Sequence, residues 1–238
     1  MKTEQAEMDG QGGLELVADS VLSRLREGIM AGDLAPGAKI SEPEVARRLG
    51  VSRAPLREAL RRLEERGLVT RTPRLGARVV VLSPEKIQQI FVVREAIEGM
   101  AARLAATHIT DDEIVRLRAQ LEHQRARSSQ IGAVQFLTKE LDNDFHSTIV
   151  EASRNEFLIR ALREDYRDLI NLCRVHQRHI EARAHRALVE HSRIVDALEE
   201  RDPDLAELMM RRHVASARKG MQAQAIQLEV PEAAGSRR

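Results

Sequence analysis

Hydrophobic residues recur every three or four positions through most of this chain, which is the period of an amphipathic helix. The first such pattern runs from Leu14 to Ile29, and Gly32 follows it as a signal for a helix C-terminus. Residues 1–13 and the closing stretch "PEAAGSRR" have no such period and are rich in polar and small residues. We therefore expect a disordered N-terminus at 1–13 and a flexible tail at 226–238.

Two short helices and a hairpin follow the first helix. Ser41 precedes a helical pattern that ends at Leu49, Gly50 supplies a turn, and Ser52 precedes a second pattern, "RAPLREALRRLEERG". The next stretch, "LVTRTPRLGARVVVL", is rich in Val and Thr and has a turn at "PRLG", which predicts two short strands. Helix, helix-turn-helix and hairpin in this order predict a winged helix-turn-helix domain over residues 14–82.

From Pro84 onward the helical period continues, and no strand candidate interrupts it. The pattern predicts helices at residues 84–106, 111–128, 132–152, 155–176, 184–200 and 203–224. The predicted fold is therefore mainly α, with an N-terminal winged helix-turn-helix followed by an all-α six-helix bundle over residues 84–225.

Length and charge agree with two domains of different character. The chain has 238 residues, of which 42% are hydrophobic, and a net charge of +1, but the segment 39–78 holds 11 Lys and Arg against 5 Asp and Glu. No apolar run approaches the roughly 20 residues that a membrane span needs, and the N-terminus lacks a signal-peptide pattern, so we expect a cytoplasmic protein with no membrane partner. The single cysteine, Cys173, leaves any metal site to histidines and carboxylates.

The basic segment places arginines along the second helix of the helix-turn-helix. Arg53, Arg57 and Arg61 recur every four residues opposite the leucines, and Ser52 stands at the helix N-terminus. Arginine can grip a phosphate or the two major-groove acceptors of guanine, and Gly76 at the hairpin tip would let the wing approach DNA closely. A solvated face paired with the glutamates of the same helix is the alternative. The surrounding winged helix favours double-stranded DNA as the partner, with these five residues as contacts.

The predicted bundle carries polar residues where apolar ones are expected. Asp142 and His146 lie one turn apart beside an apolar helix face, and His191 and His213 occupy inward positions on the last two helices. Each histidine alone fits a core histidine bonded to a neighbour. Together, one carboxylate and three neutral imidazoles suit a divalent cation such as Zn, Ni, Mn, Fe or Co, with coordination positions left for a ligand oxygen.

Arg94 is a further polar residue on an inward stripe, in register with Ile87 and Ile90. A buried guanidinium needs an anion. One candidate is Glu98, four residues on along the same helix, and the other is the carboxylate of a small organic acid that also touches the metal.

The N-terminal motifs carry a specific resemblance. "ISEPEVARRL" followed by "GVSRAPLREALRRLEERGLV", within residues 16–82, resembles the winged helix of the GntR family of bacterial transcription regulators. The resemblance implies operator contacts from Arg53, Arg57 and Gly76. Some members have another DNA-contacting Arg at the start of the preceding helix, but Pro43 occupies that place in this chain, so we assign no contact there.

The C-terminal motifs resemble the all-helical FCD domain of the FadR subgroup of that family. The motifs are "VVREAIEGMAARLAA", "DNDFH", "EHSRIVDALEERD" and "LMMRRHV", and six helices are closer to the VanR-like branch than to the seven-helix type. The resemblance implies an effector-binding role for Arg94 and a metal held by Asp142, His146, His191 and His213. The runs "KISEPEVARRLGVSRAPLREALRRLE" and "IEGMAARLAA" also resemble regulators associated with propionate and 2-methylcitrate catabolism, which implies a di- or tricarboxylate effector.

These patterns predict a dimeric transcriptional regulator of the repressor type and no enzymatic activity. We expect it to bind an inverted-repeat operator, with an affinity controlled by a small organic acid near the metal. The alternative is a metal-dependent hydrolase or isomerase with an accessory basic domain, but no general base such as the Glu of "HExxH" accompanies the proposed metal. An architectural DNA-binding protein with a purely structural bundle is a third interpretation, and it leaves Arg94 and the histidines unexplained.

Overall fold

The structure is a computed structural model that describes residues 2–74, 76–131, 139–177 and 181–229. Within those ranges, side chains are described for residues 14–74, 76–126, 145–173 and 185–221. The chain divides into two compact units, Met1–Leu82 and Ser83–Arg238.

The first unit combines helices with a small antiparallel sheet. Its elements are α1 (Lys2–Ala31), β1 (Lys39–Ile40), α2 (Glu42–Leu49), α3 (Arg53–Glu65), β2 (Val69–Thr72) and β3 (Gly76–Val79). The strand order is β1-β3-β2, with Ile40 opposite Ala77 and Val69 opposite Val79. This is the predicted winged helix-turn-helix. Strand β1 is an addition to the prediction, because two residues are too few to show an alternating pattern.

Helix α1 begins at Lys2, so the structure has helix where we expected a disordered segment at 1–13. Most of residues 2–8 are good helix formers and packing fixes the later turns of α1, although Gly10, Gly12 and Gly13 between them are poor helix formers. Val21 and Leu25 provide that packing, with 2% and 1% exposure, whereas Leu14 is 44% exposed. The predicted apolar stripe of this helix therefore packs only along its C-terminal half.

The helix-turn-helix is built as its spacing predicts. Leu56, Leu60 and Leu63 of α3 are fully buried. Gly50 ends α2 in the left-handed conformation, with φ +66°, and its N–H donates to carbonyl oxygens of the last turn of α2. Glycine adopts this conformation without the steric cost that other residues incur.

Ser52 occupies the predicted N-cap position of α3, but its hydroxyl makes no capping hydrogen bond. The side chain of an N-cap residue bonds the N–H of the second or third helical residue. The third residue of α3 is Pro55, which has no N–H. The hydroxyl of the exposed Ser52 therefore cannot accept a capping hydrogen bond from the third residue of α3.

The second unit is helical in the part of it that the structure describes. Its elements are α4 (Pro84–His108), α5 (Asp111–Ile131), α6 (Lys139–Ala152), α7 (Glu156–Arg160), a π-helical turn (Ala161–Asp165), α8 (Arg167–Gln177), α9 (Glu181–Glu199) and α10 (Pro203–Glu229). Helix α4 begins as predicted, because the Ser83 side chain accepts a hydrogen bond from the N–H of Lys86 at 3.3 Å.

The helix predicted over 155–176 is interrupted. The N–H of Tyr166 donates to the carbonyl oxygen of Ala161 at 3.0 Å, the five-residue spacing of a π-helix, and α8 begins immediately afterwards. No Pro or Gly signals this change in the sequence. With α7, the π turn and α8 counted as one interrupted helix, the described residues contain six helical segments, as predicted. The expected start of the third helix, 132–138, lies outside the described residues.

The longest helices are α1, α10 and α4, with 30, 27 and 25 residues. Across the described part of the chain, no helix combines the length and the apolar character that crossing a membrane requires.

Helix α10 runs through Glu229, so it includes the start of the tail predicted at 226–238. Residues 230–238 lie outside the described residues.

The core of the second unit forms where α4 packs most extensively against α10, with α5, α6 and α9 around them. Gly99 permits a close approach of the two helices, because a Cβ atom there would lie 2.8 Å from Cγ of Arg211. The predicted inward residues Phe145, Ile149 and Val195 are fully buried. Polar residues on the same inward faces are therefore carried into the same core.

We predict opposite stability changes from two glycine substitutions in the first unit. Gly50→Ala should lower the free energy of unfolding by about 1 kcal/mol, because alanine is strained in the left-handed conformation. Gly28→Ala should raise it by about 0.5–1 kcal/mol, because Gly28 lies inside α1 and an added Cβ would make ordinary contact with Leu34 at 3.4 Å. Urea unfolding followed by circular dichroism measures both. Equal shifts in the two variants would contradict the conformational argument.

Candidate metal centre and nucleic-acid interface

The arginine stripe of α3 is exposed, but its members differ in their partners. Arg53, at the first turn, has no hydrogen-bond or ion-pair partner among the described residues. Arg57 donates from Nε to Oε2 of Glu42 at 3.1 Å, and 61% of its side chain remains exposed. Both guanidinium groups thus lie at the N-terminal end of the helix, where the helix dipole also favours an anion.

Arg61 is held more firmly by acids of its own helix. Its Nε and Nη2 atoms donate to Glu58 at 2.9 and 2.6 Å, and Nη1 contacts Glu65. Hydrogen bonds from Arg61 and Arg62 lower the pKa of Glu58 to about 2, and the bond to Glu58 raises the pKa of Arg61. Arg61 must therefore exchange these partners to contact a phosphate.

The wing tip has the geometry that a close approach requires. Gly76 has φ +86°, and the nearest atom to an added Cβ would be Cε of Lys39 at 3.9 Å. Arg74 in the same turn also has a positive φ, of 67°. The predicted contacts Ser52, Arg53, Arg57 and Arg61 cluster along exposed positions of α3 and its N-cap, and Gly76 begins β3.

In the second unit, three helices bring three imidazoles together. Helices α6, α9 and α10 supply His146, His191 and His213, all of which are buried. Nε2 of His213 lies 3.3 Å from Nε2 of His191 and 3.3 Å from Nε2 of His146. The potential ligand nitrogens of the three side chains all lie within 4.8 Å of one another. The predicted histidines thus form one cluster, which we call the histidine cluster.

Two carboxylates contact the Nδ1 atoms of His213 and His146 and orient these two rings of the histidine cluster. Nδ1 of His213 lies 2.9 Å from Oε2 of Glu190, and Nδ1 of His146 lies 2.7 Å from Oε2 of Glu98. At these distances a proton on Nδ1 is attracted by the carboxylate, whereas an Nδ1 lone pair would be repelled. In the neutral imidazoles this leaves the Nε2 lone pairs of His146 and His213 facing each other.

A cation fits this arrangement. Two nitrogen lone pairs 3.3 Å apart repel each other unless a cation, or a proton, lies between them. Nitrogen ligands at about 2.0–2.1 Å from a tetrahedral zinc ion are about 3.3–3.4 Å apart. The observed spacing is therefore that of two ligands of one metal ion, and the histidine cluster is able to hold one.

Phe145 and Asp142 are the other residues of α6 that concern the cluster. The Phe145 ring stacks on the imidazole of His191, with ring centroids 4.0 Å apart and planes 19° apart, which restricts the rotation of that imidazole. Asp142 lies in α6 one turn before His146, but its side chain lies outside the described residues. Its role as the fourth ligand therefore stays a prediction.

Arg94 and Glu98 form a buried ion pair beside the histidine cluster. Nε of Arg94 lies 2.6 Å from Oε1 of Glu98, and their side chains are only 3% and 2% exposed. Burial acts against ionisation of Glu98, but the charge of Arg94 and the contact with His146 hold the pKa of Glu98 well below its usual range. The pairing of Arg94 with Glu98, one of the two partners that the sequence analysis considered, is present. The effector-binding role of Arg94 stays a prediction.

A cavity of about 700 Å³ adjoins the histidine cluster, and His146 and Glu98 contribute to its wall. Helices α4, α5, α6 and α8 and the π-helical turn supply its lining, which consists of Glu98, Glu113, Arg116, Gln120, His146, Ser147, Thr148, Val150, Glu151, Leu162, Arg163, Glu164, Arg167, Ile170 and Asn171. Its size is within the range of about 300–1,000 Å³ that is typical of small-molecule sites.

Arg167 and Gln120 are lining residues with polar groups that have no partner among the described residues. Arg167, at the start of α8, makes no hydrogen bond or ion pair there. The Oε1 atom of Gln120 is buried and accepts no hydrogen bond. Arg163 contacts Glu151, whereas Glu164 has no ion-pair partner among the described residues. Within the described part of the chain, the lining therefore offers a ligand the charge of Arg167 and the unsatisfied Gln120 oxygen, with the carboxylate of Glu164 beside them.

Sequence reasoning missed Glu190, Gln120 and Arg167. Glu190 precedes a predicted inward histidine, but the residue that it orients, His213, is on another helix, so no spacing rule connects them. Arg167 follows the π-helical turn, which the sequence does not signal. Gln120 lies on the amphipathic helix α5 at a position that a helical period alone assigns to the boundary between core and solvent.

Two family models match the chain. Residues 17–79 match the model described as bacterial regulatory proteins, gntR family, and residues 89–216 match the FCD domain. A winged helix-turn-helix joined to a helical domain with a polar cavity defines a DNA-binding regulator with a ligand-sensing domain. The chain belongs to the GntR family, in the FadR-like group with an FCD domain, and is a transcriptional regulator and not an enzyme.

Similar proteins agree with this family. The HTH-type transcriptional regulator YdhC of Bacillus subtilis is 31% identical over 77% of this chain and 81% of its own length. The HTH-type transcriptional repressor RspR of Escherichia coli is 31% identical over 80% and 82%. A probable D-xylose utilization operon transcriptional repressor of Paenarthrobacter nicotinovorans is 32% identical over 84% and 88%. The alternative of a metal-dependent hydrolase or isomerase finds no support in these names.

Solved structures share the fold. The E. coli protein McbR/YncC superposes with a TM-score of 0.66 at 20% identity, covering 90% of this chain and 99% of the other. A transcriptional regulator of the GntR family from Rhodococcus sp. RHA1 superposes with a TM-score of 0.65 at 23% identity, with the same coverage. At these identities the likeness concerns the fold alone.

Proposed function

We propose that this regulator is a cytoplasmic repressor that binds an inverted-repeat operator as a homodimer and is controlled by a small organic acid. The acid binds in the cavity beside the histidine cluster, and the three imidazoles of the cluster hold a divalent metal ion. The observation that carries this proposal is the juxtaposition of three converging imidazoles with a polar cavity in the same domain. Two relatives are named as repressors, which supports repression rather than activation of transcription.

The DNA-contacting residues proposed are Ser52, Arg53, Arg57 and Arg61, with Gly76 at the wing tip. Arg53 and Arg57 contribute most, because among the described residues Arg53 has no competing partner, and Arg57 keeps 61% of its side chain exposed beside its one partner, Glu42. Arg61 contributes less, because contact with DNA costs it the bonds to Glu58 and Glu65. Arginine at the start of a helix that lies in the major groove suits both phosphate and guanine contacts.

The metal is proposed to be Zn, Ni, Mn, Fe or Co, because imidazole nitrogen suits these borderline cations. His146, His191 and His213 hold it, and Asp142 is proposed as the fourth ligand. When bound, such an ion supplies open coordination positions for a carboxylate oxygen. His146 belongs both to the histidine cluster and to the cavity wall, so an acid in the cavity lies within reach of that position.

The acid is proposed to carry a second anionic or polar group. Arg167 provides a positive charge in the lining that has no ion-pair partner among the described residues, and the Gln120 oxygen can accept a hydrogen bond from a ligand hydroxyl. A di- or tricarboxylate satisfies the charge of Arg167 while another carboxylate approaches the histidine cluster. A ligand that prefers one arrangement of the dimer would change the spacing of the two recognition helices and thereby the operator affinity.

DNA binding provides the first test. Arg53→Ala and Arg57→Ala should each weaken binding by about 5- to 150-fold, which corresponds to about 1–3 kcal/mol, and should reduce the salt dependence where a phosphate contact is lost. Arg61→Ala should have a smaller effect, because its charge is already shared with glutamates. Fluorescence anisotropy on an operator selected from random double-stranded DNA measures all three.

Arg24→Ala is the matched control for this series. Arg24 is an exposed arginine of α1 outside the stripe, and it has no ion-pair partner among the described residues. Its removal should leave operator affinity nearly unchanged. If Arg53→Ala and Arg57→Ala behave like the control, α3 is not the DNA-contacting helix.

Metal and acid provide the second test. The purified protein should contain about one metal ion per chain, and a panel of acetate, malonate, succinate and citrate should include acids that raise its melting temperature. Acids with more than one carboxylate should give the larger shifts, and Arg167→Ala should reduce the advantage of those acids over acetate. The acid that stabilises the protein should also release it from its operator.

Removal of the metal is the control for the acid test. After treatment with a chelator, the stabilisation by the acid should be lost, and it should return when Zn²⁺ is added back. Undiminished acid binding by the metal-free protein would show that the cavity recognises the acid without the histidine cluster.

A further inference from the structure

Two glutamate carboxylates contact imidazoles of the histidine cluster on the ring nitrogen that faces away from the other imidazoles. Oε2 of Glu190 lies 2.9 Å from Nδ1 of His213, and Oε2 of Glu98 lies 2.7 Å from Nδ1 of His146. In both pairs the contact is made by Nδ1, whereas Nε2 is the atom that faces the other imidazoles. The same arrangement thus occurs twice, on different helices and with glutamates that are far apart in sequence.

We propose that Glu98 and Glu190 are positioning residues of the metal site, and that Arg94 acts on this site through Glu98. This inference rests on the proposed metal site. Each carboxylate fixes its histidine in the tautomer with the proton on Nδ1, so that the Nε2 lone pair faces the metal position. A hydrogen-bonded carboxylate also makes the imidazole a better electron donor and holds its ring in one orientation.

The position of Arg94 explains how Glu98 can serve as such an acceptor in the core. A lone carboxylate with 2% exposure would be strongly disfavoured. Nε of Arg94 engages Oε1 of Glu98, and the other oxygen, Oε2, faces His146. The guanidinium carbon also lies 5.1 Å from the ring centre of Phe91, which holds it beside α4. Arg94, Glu98 and His146 therefore form a chain of contacts that leads from α4 to the histidine cluster.

This chain gives Arg94 a role different from that of a direct anchor for an acid. Arg94 is absent from the lining of the cavity, whereas Glu98 and His146 are both part of it. A carboxylate ligand in the cavity would meet the Glu98 carboxylate before it reached the Arg94 nitrogen that Glu98 engages. Arg167 is an arginine of the lining without an ion-pair partner among the described residues, and so it is the better candidate for a direct contact with an acid.

The test measures Zn²⁺ affinity of the full-length protein by competition with a chromophoric chelator. Glu190→Gln, Glu98→Gln and Arg94→Lys should each weaken Zn²⁺ binding, the two glutamine variants by roughly 10- to 100-fold. Glu190 is the safer site, since 17% of its side chain is exposed, whereas Glu98→Gln leaves Arg94 buried without its carboxylate. Circular dichroism of each metal-free variant shows whether the fold is retained.

Glu95→Gln and Glu207→Gln are matched controls. Glu95 is on α4 and lies 3.6 Å from Arg218, and Glu207 is on α10 and pairs with Arg211 at 2.8 Å. Both are ion-paired glutamates of the same domain without a contact to the histidine cluster among the described residues. Each control should keep the Zn²⁺ affinity of the unaltered protein.

Nitrogen NMR of the imidazoles adds a readout that a general loss of stability would not move. In the Zn²⁺-loaded protein, His146 and His213 should show a protonated Nδ1 and a metal-bound Nε2, and Glu190→Gln should change the His213 Nδ1 resonance selectively.

If the unaltered protein binds Zn²⁺ and folded Glu190→Gln binds it equally well, the positioning role is wrong although the metal site stands. If the unaltered protein binds no Zn²⁺, the proposed metal site itself is wrong. If Arg94→Lys weakens acid binding but not Zn²⁺ binding, Arg94 is an anchor for the acid.

Discussion

The convergence of three imidazole nitrogens in the core of the helical domain is the constraint on which the rest of that domain depends. His146, His191 and His213 come from three helices, and their Nε2 atoms approach to 3.3 Å. Two such nitrogens with lone pairs facing each other repel unless a cation or a proton lies between them. The packing of α6, α9 and α10 and the occupancy of the histidine cluster are therefore linked, because an ion held by the three imidazoles would join all three helices.

The surroundings of the histidine cluster follow from the same constraint. Polar groups in a core must find partners, and the carboxylates of Glu98 and Glu190 provide partners for two imidazoles. Glu98 in turn requires Arg94, so that four helices contribute to a polar network in the core. The cavity that adjoins this network leaves room for a ligand, and Arg167 in its lining has no ion-pair partner among the described residues. A buried polar network of this kind adds little to the stability of a core, so stability alone does not account for it.

Much of this architecture follows from the period of the sequence. A spacing of three or four residues puts His146 beside Phe145 and Ile149 and puts His191 on the stripe with Val195, so their burial is predictable from the helix alone. The helix-turn-helix is equally predictable from the sequence, because Gly50 readily adopts the left-handed conformation in which α2 ends before α3 begins.

Other features depend on contacts between helices and are not encoded in local spacing. The role of Glu190 arises only because α10 brings His213 to it, and the π-helical turn depends on hydrogen-bond register rather than on a breaker residue. Whether Arg94 pairs with Glu98 or with a ligand was open in the sequence, since both partners satisfy a buried guanidinium. The helix at the N-terminus extends beyond its apolar pattern because helix propagation needs no core contact at every turn.

Anomalous diffraction from crystals of the metal-loaded protein, recorded at the absorption edge of the bound metal, tests the central claim most directly. The account predicts one peak per chain at about 2.0–2.1 Å from Nε2 of His146, His191 and His213, with Nδ1 of His146 and His213 still facing Glu98 and Glu190. A metal peak elsewhere, or metal-loaded crystals in which these three imidazoles do not share an ion, would contradict it.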